Sequence, residues 1–350
     1  MINDDTVDVE KFVKVPEAQV TLGVPATYRE MLRQAGIGAE DLRVLNEPSI
    51  PRTLFELVLV ALSLAAVPVI YAVAPHPLTF VLCFVLSVRN SNCLAQLIHT
   101  SDHGALFKNP RLNAGVGNAC SYLLGYTRAG HRLAHLRHHL YLNTEKDPDL
   151  VWATPQQTSR DLFRAWAHDF LCLSALKRLL QYSQTDKKTF TVKPWRAVSA
   201  LLIIRALKVM WPVACVQLAV LAAYSALIGP RFYLVFYVLP IMTLYPAQIR
   251  LRATVEHSFD VGYAPKTSSD LWVTRSTRAR WFERFVFAPY GIHFHFEHHL
   301  FPAVPHYNLR NVRELLKRAG LPIPLTPGYI AFVLTKIKSE RHHPVTRSAA

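Results

Sequence analysis

The chain has 350 residues, 51% of them hydrophobic, and a mean hydropathy of +0.15. This is more apolar than an ordinary soluble domain but not apolar throughout, and it fits a membrane-embedded domain with large water-facing parts. The formal net charge of +15 asks for an anionic surface nearby; with no nucleic-acid motif in the chain, that surface is expected to be lipid headgroups and no nucleic-acid partner is expected. The five cysteines form no CxxC pair, which argues against a disulfide framework and for buried thiols in a reducing compartment.

In chain order, residues 1–20 are polar and acidic without an apolar core, so no cleaved signal peptide is expected. Residues 1–50 read as a cytoplasmic N-terminal segment with one amphipathic helix near 27–35. Residues 57–74 form an uncharged apolar run, a Pro-His-Pro turn follows, and a second run covers 78–98, broken by polar residues near Arg89 to Asn92. Runs at 209–228 and 232–249 repeat the arrangement around Gly229-Pro230. Each pair predicts a transmembrane helical hairpin.

Lys and Arg gather in 100–200 and beyond Arg250, whereas the two short connections hold only Arg231. By the positive-inside rule the long loops and both termini then face the cytoplasm of a cell (inner) membrane. The stretch 100–200 is too polar to span and is expected to form helices at the interface. The predicted fold is an all-α integral membrane protein of four spans, with a cytoplasmic helical cap. The membrane domain occupies 51–320, and a basic tail occupies 321–350.

Sixteen histidines are the main chemical signal, and most are clustered. His99 and His103 stand four apart at the end of the second run, which on a helix puts both rings on one face, ~5–6 Å apart at Cβ. In HRLAHLRHH, His135, His138 and His139 follow i, i+3, i+4, with His131 one turn earlier. In HFHFEHH, His295, His298 and His299 repeat that spacing, while His293 and Glu297 point off the face. Protonated, such stripes would repel, so a metal role is expected. Imidazole suits iron, zinc, copper or nickel, but eight rings are too many for one tetrahedral zinc, and haem ligands would stand singly on facing helices. A two-metal site follows, with His257 in RATVEH as a ninth ligand. His76, His168, His306, His342 and His343 read as surface or turn residues. Trp152, Phe294, Phe296 and Phe301 could line a channel, although packing accounts for each.

The boxes HTSDH, HRLAHLRHHLYLNTEKDPDL and HFEHHLFPAVPHYNLRNVRELL, in that order and with a membrane pair before the last, resemble the membrane fatty acid desaturase and hydroxylase superfamily over about 57–319. The resemblance implies that His99, His103, His135, His138, His139, His295, His298 and His299 hold two iron ions (Fe2+/Fe3+), with His257 matching a further histidine many members carry. O2 is the implied co-substrate and an acyl chain, linked to lipid, CoA or carrier protein, the implied substrate. One departure stands out: many acyl-lipid desaturases have Asn where this chain has His293. Asp102, Asp147, Asp149, His131 and His293 are candidates to orient the ligand rings.

No haem, flavin or iron–sulfur motif occurs in the chain, so an external electron donor is expected, a ferredoxin or similar carrier with its reductase. Its acidic surface would suit the basic face. Two other readings stand beside a desaturase of acyl chains: a hydroxylase or desaturase of a smaller, non-lipid metabolite on the same scaffold, and a non-catalytic membrane metal-binding or sensing protein.

Overall fold

Among the described residues, four helices are long and apolar enough to cross a membrane: Glu40–Val73, Pro77–Asp102, Lys208–Leu227 and Pro230–Glu256. They are seen in a computed structural model that describes residues 26–151, 158–176, 200–257 and 271–342. Trp152, the chain before residue 26 and the end of the basic tail, including His343, lie outside the described residues. The chain is an all-α membrane protein, with only a two-residue parallel pairing of Ser276–Thr277 (β1) with Leu325–Thr326 (β2) among the described residues.

The two hairpins form for local reasons. His76 caps the second span, accepting from the Leu78 N–H, and Pro77 opens it with a φ already suited to a helix. Gly229 takes φ 100°, a conformation that costs a Cβ-bearing residue dearly, and Pro230 follows to start the fourth span. That span widens to a π-turn over Leu234–Val238, just before Pro240, which has no N–H to continue an α-helical ladder.

Within each hairpin the second helix is the inner one. In its most apolar stretch 44% of the second and of the fourth span is buried, against 22% of the first and 11% of the third. The outer helices show Phe55, Val58, Leu62, Trp211 and Leu218 outward, a surface suited to lipid tails. The polar residues that interrupt the second run turn inward and find partners, as intramembrane polar groups must. Asn90 accepts from Ser63 at 2.7 Å, Asn92 donates to Gln248 and to the Val286 carbonyl, and the Arg89 guanidinium lies 4.8 Å from the Phe285 ring.

Both inner helices outrun their apolar stretches. The second continues to Asp102 and the fourth to Glu256, each several residues past its predicted end. Burial with partners makes this possible: Arg250 clamps Asp169 of helix Ser159–Phe170 at 2.8 and 2.9 Å, and Trp166 donates to the Ala247 carbonyl. The polar ends of the inner helices thus form the floor on which helices Pro110–Leu123 and Arg128–Tyr141 and the third box assemble.

The amphipathic helix Ala26–Gln34 is not merely peripheral. Tyr28 and Leu32 are buried against Phe296, Leu300 and Phe301, on the side of helix His295–Leu300 opposite its histidines. Helix Leu309–Arg318 adds Leu309, Val312 and Leu316 to the same cluster. Phe296 and Phe301 are therefore packing residues.

Breaking the buried Arg250–Asp169 pair leaves a charge without its partner, which costs about 3–5 kcal/mol. Asp169→Asn is expected to lower the melting temperature of detergent-purified protein markedly, whereas Glu314→Gln, which breaks the exposed pair with Lys317, is expected to leave it nearly unchanged.

Candidate metal centre

The i, i+3, i+4 spacing of the second and third boxes does more than align rings. Each box ends in a His-His doublet, and adjacent helical residues point about 100° apart, so the two rings of a doublet diverge. His139 and His298 join His99, His103 and His135 in one group, while His138 and His299 join His257 and His295 in another. Within each group the available ring nitrogens all lie within 4.8 Å of one another.

In the first group His103 Nε2 lies 2.7 Å from His135 Nε2, and His298 Nε2 lies 3.0 Å from His139 Nε2. In the second, His295 Nε2 is 2.8 Å from His257 Nε2 and 3.0 Å from His299 Nε2. The groups adjoin, with the His139 and His299 rings stacked at 4.3 Å. The structure brings together all nine histidines singled out from the sequence, at the shared end of the second and fourth spans.

Carboxylates and amides stand behind these rings. Asp147 receives His138 Nδ1 at 3.0 Å and is itself fixed by the backbone N–H groups of Asn143 and Asp149, with Asp149 Oδ2 3.7 Å from the same ring nitrogen. The turn that allows this has Asn143 at φ 62°, a left-handed conformation that Asn tolerates better than most. Asp102 holds His131 Nδ1 at 2.6 Å and Arg128 Nε at 3.1 Å, and His131 itself belongs to neither group. Arg128 reaches Asp102 past Gly117, where any Cβ would collide with its side chain. The Gln96 amide lies 3.4 Å from His99 Nδ1.

His293 also lies outside both groups. Glu297 turns away from the rings to Ser276 and Arg313 and fastens the third box to its support. His306, which reads as a turn residue in the sequence, is buried between Glu56 of the first span and Thr100 of the second, at 2.7 and 2.9 Å. Three neighbours lie outside the box pattern: Gln96 beside His99, Arg128 on Asp102, and Glu256, whose carboxylate accepts from Tyr329 at 2.6 Å and lies 3.5 Å from His295 Nδ1. Only Glu256, one residue before His257, stood within a motif that could have drawn notice.

Burial, reinforced by neighbouring rings, holds His135, His139, His257, His295, His298 and His299 well below the usual imidazole value. Burial, with Arg132 close by, pushes His103 down to about 3. Burial opposes the charged form of His138 too, but Asp147 and Asp149 outweigh it and raise that ring to about 9. Converging imidazole Nε2 atoms, all but one of the rings held from charging and the other, His138, backed at Nδ1 by Asp147, are the donor set of a first-row transition metal, and two adjacent groups exceed what one ion takes. Iron fits this set.

A cavity of about 120 Å³ touches both groups, between the second span, the fourth span and helix Arg128–Tyr141. Ala95, Ala134, Tyr245, Ile249 and Ile292 give it an apolar wall, and Asp149, Arg252 and Glu256 give it a charged one.

Paired apolar helices ending in two histidine groups define a membrane protein built around a cluster of nine histidines that could hold metal. The chain belongs to the fatty acid desaturase family, whose model matches residues 75–326. It is similar to dihydrorhizobitoxine desaturase of Bradyrhizobium elkanii, 24% identical over 233 residues that cover 63% of this chain and 63% of that protein. The match spans a little under two thirds of that protein's length.

The unfolded chain takes up protons near pH 6.5 that the buried rings refuse, so each depressed histidine removes stability as pH falls below that value. His138 acts oppositely: its contribution is complete below 6.5 and is lost as pH rises through about 9. The depressed rings outnumber the one raised ring, and metal-free protein is expected to melt progressively earlier as pH is lowered from about 7 to about 5. Thermal melts in detergent across that range check this, and a flat or rising midpoint contradicts it.

Proposed function

We propose that this chain is an O2-dependent di-iron desaturase. The observation that carries the reading is the division of nine imidazoles into groups of five and four by the two His-His doublets. One iron would be held by His99, His103, His135, His139 and His298, the other by His138, His257, His295 and His299. Bound iron supplies the redox chemistry with O2 that removes hydrogen from an unactivated C–H bond.

The chain's own residues orient and shield. Asp147 holds a proton of His138 on Nδ1, so Nε2 is the nitrogen that would give up its proton to a metal, and Asn143 keeps Asp147 in place. The apolar wall of the cavity excludes water and seats the substrate's hydrocarbon beside both groups. Converting a –CH2–CH2– unit to –CH=CH– while reducing O2 to two waters requires two electrons and two protons from outside. A ferredoxin-like carrier with its reductase is the proposed source, docking on a basic face that the positive-inside pattern puts in the cytoplasm together with both termini. On this reading residues 51–320 form the catalytic membrane domain, and the flanking segments are accessory to it.

The substrate is proposed to be an acyl chain. A smaller, polar metabolite is a second reading, favoured by the charged side of the cavity and by the relative's action on dihydrorhizobitoxine.

Metal analysis of purified protein is expected to find about two irons per chain, as a two-metal centre requires, falling sharply in His139→Ala and His298→Ala. Zinc in place of iron, or iron indifferent to both changes, contradicts the proposal and favours a sensing role. Asp147→Asn is expected to weaken metal binding or activity about 10–100-fold. Mass analysis of the product distinguishes loss of two hydrogens from gain of one oxygen, and reductant-linked O2 consumption separates an enzyme from a sensor.

A further inference from the structure

Glu256 is the last residue of the fourth span, and its carboxylate is fully enclosed by partners drawn from three parts of the chain. Oε1 accepts from Tyr329 Oη at 2.6 Å and from Arg252 Nε at 3.2 Å. Oε2 accepts from Arg252 Nη2 at 3.1 Å and faces His295 Nδ1 at 3.5 Å. That last separation is long for a hydrogen bond, and His295 Nδ1 is a buried nitrogen with no hydrogen-bond partner.

The ring's other nitrogen explains the arrangement. His295 Nε2 sits within 3.0 Å of both His257 Nε2 and His299 Nε2, so without a metal these rings can share protons through their Nε2 atoms. A metal held by the three Nε2 atoms excludes protons from all of them. The His295 proton must then reside on Nδ1, where the Glu256 carboxylate is the acceptor in reach.

We infer that Glu256, fixed by Tyr329 and Arg252, is a positioning residue that sets the tautomer and orientation of His295 in the His138/His257/His295/His299 group. The inference rests on the two-metal reading and extends it to a residue outside every histidine box. Tyr329 begins helix Tyr329–His342, which is docked independently of the rings: Ile330 N donates to Glu283 at 2.8 Å, and β2 pairs with β1 just upstream. The C-terminal helix therefore bears on one metal group and not on the other. Arg252 keeps the buried carboxylate compensated.

The test uses full-length protein in detergent, stripped of metal and titrated anaerobically with Co2+, whose visible absorption reports the geometry of each site. Wild type is expected to take up two ions. Glu256→Gln is expected to bind one ion with unchanged affinity and spectrum and the other about 10–100-fold more weakly, with altered absorption. Tyr329→Phe, which keeps the buried ring and removes one hydroxyl, is expected to weaken that same site by a smaller factor, and it covers the case in which Glu256→Gln does not fold. Two unaltered sites in the variants overturn the inference alone, as does equal weakening of both, which marks general loosening. A wild type that binds fewer than two ions overturns the two-metal reading and this inference with it.

Discussion

Nine imidazoles cannot be crowded into a largely buried place unless nearly all of them are neutral, and the surrounding structure answers to that constraint. Repulsion among protonated rings and the cost of burying charge act in the same direction, so the ring nitrogens that converge do so as lone pairs or as shared protons. His138 is the exception, and it is the ring with two acidic neighbours. Much of the fold's interior is given to this assembly, one group fully buried and the other half-buried: the ends of both inner spans, the second-box helix and the third-box helix all present their polar faces there. Their apolar faces pack elsewhere, Phe296 and Leu300 against the N-terminal helix being one case.

The two hairpins supply the rigid part of this arrangement. Because each returns the chain to the side it left, the ends of the second and fourth spans meet, and His99 and His257 are anchored on helices that the packing of the bundle fixes. The third box has no such helix of its own length. His295–Leu300 makes fewer than two turns and depends on outside fastenings, Glu297 to Ser276 and Arg313, and the Thr277 N–H to the His293 carbonyl. Ligand geometry in that box is set by contacts distant in sequence.

This difference decides what could be read from the chain alone. Apolar runs and the i, i+3, i+4 histidines are local patterns, and both the four spans and the nine converging rings were legible in them. Asp147 was legible as part of a motif adjoining the second box. Contacts between distant segments left no local trace: His306 looked like a stray turn residue because Glu56 is 250 positions away, and Tyr329 gave no sign of touching Glu256. The polar ends of the inner spans were cut short in the sequence reading because hydropathy registers Arg250 and Glu256 as water-facing, when buried partners satisfy them.

The short pairing of β1 with β2 bears on the order in which the protein is made. β1 lies between the fourth span and the third box, and β2 comes after everything that ligates or spans. A ribosome delivers both hairpins to the bilayer well before β2 and Tyr329 emerge, so the histidines of the first two boxes wait at the membrane surface for the last part of the chain. Closing the histidine cluster therefore draws on a segment that follows both hairpins in the chain.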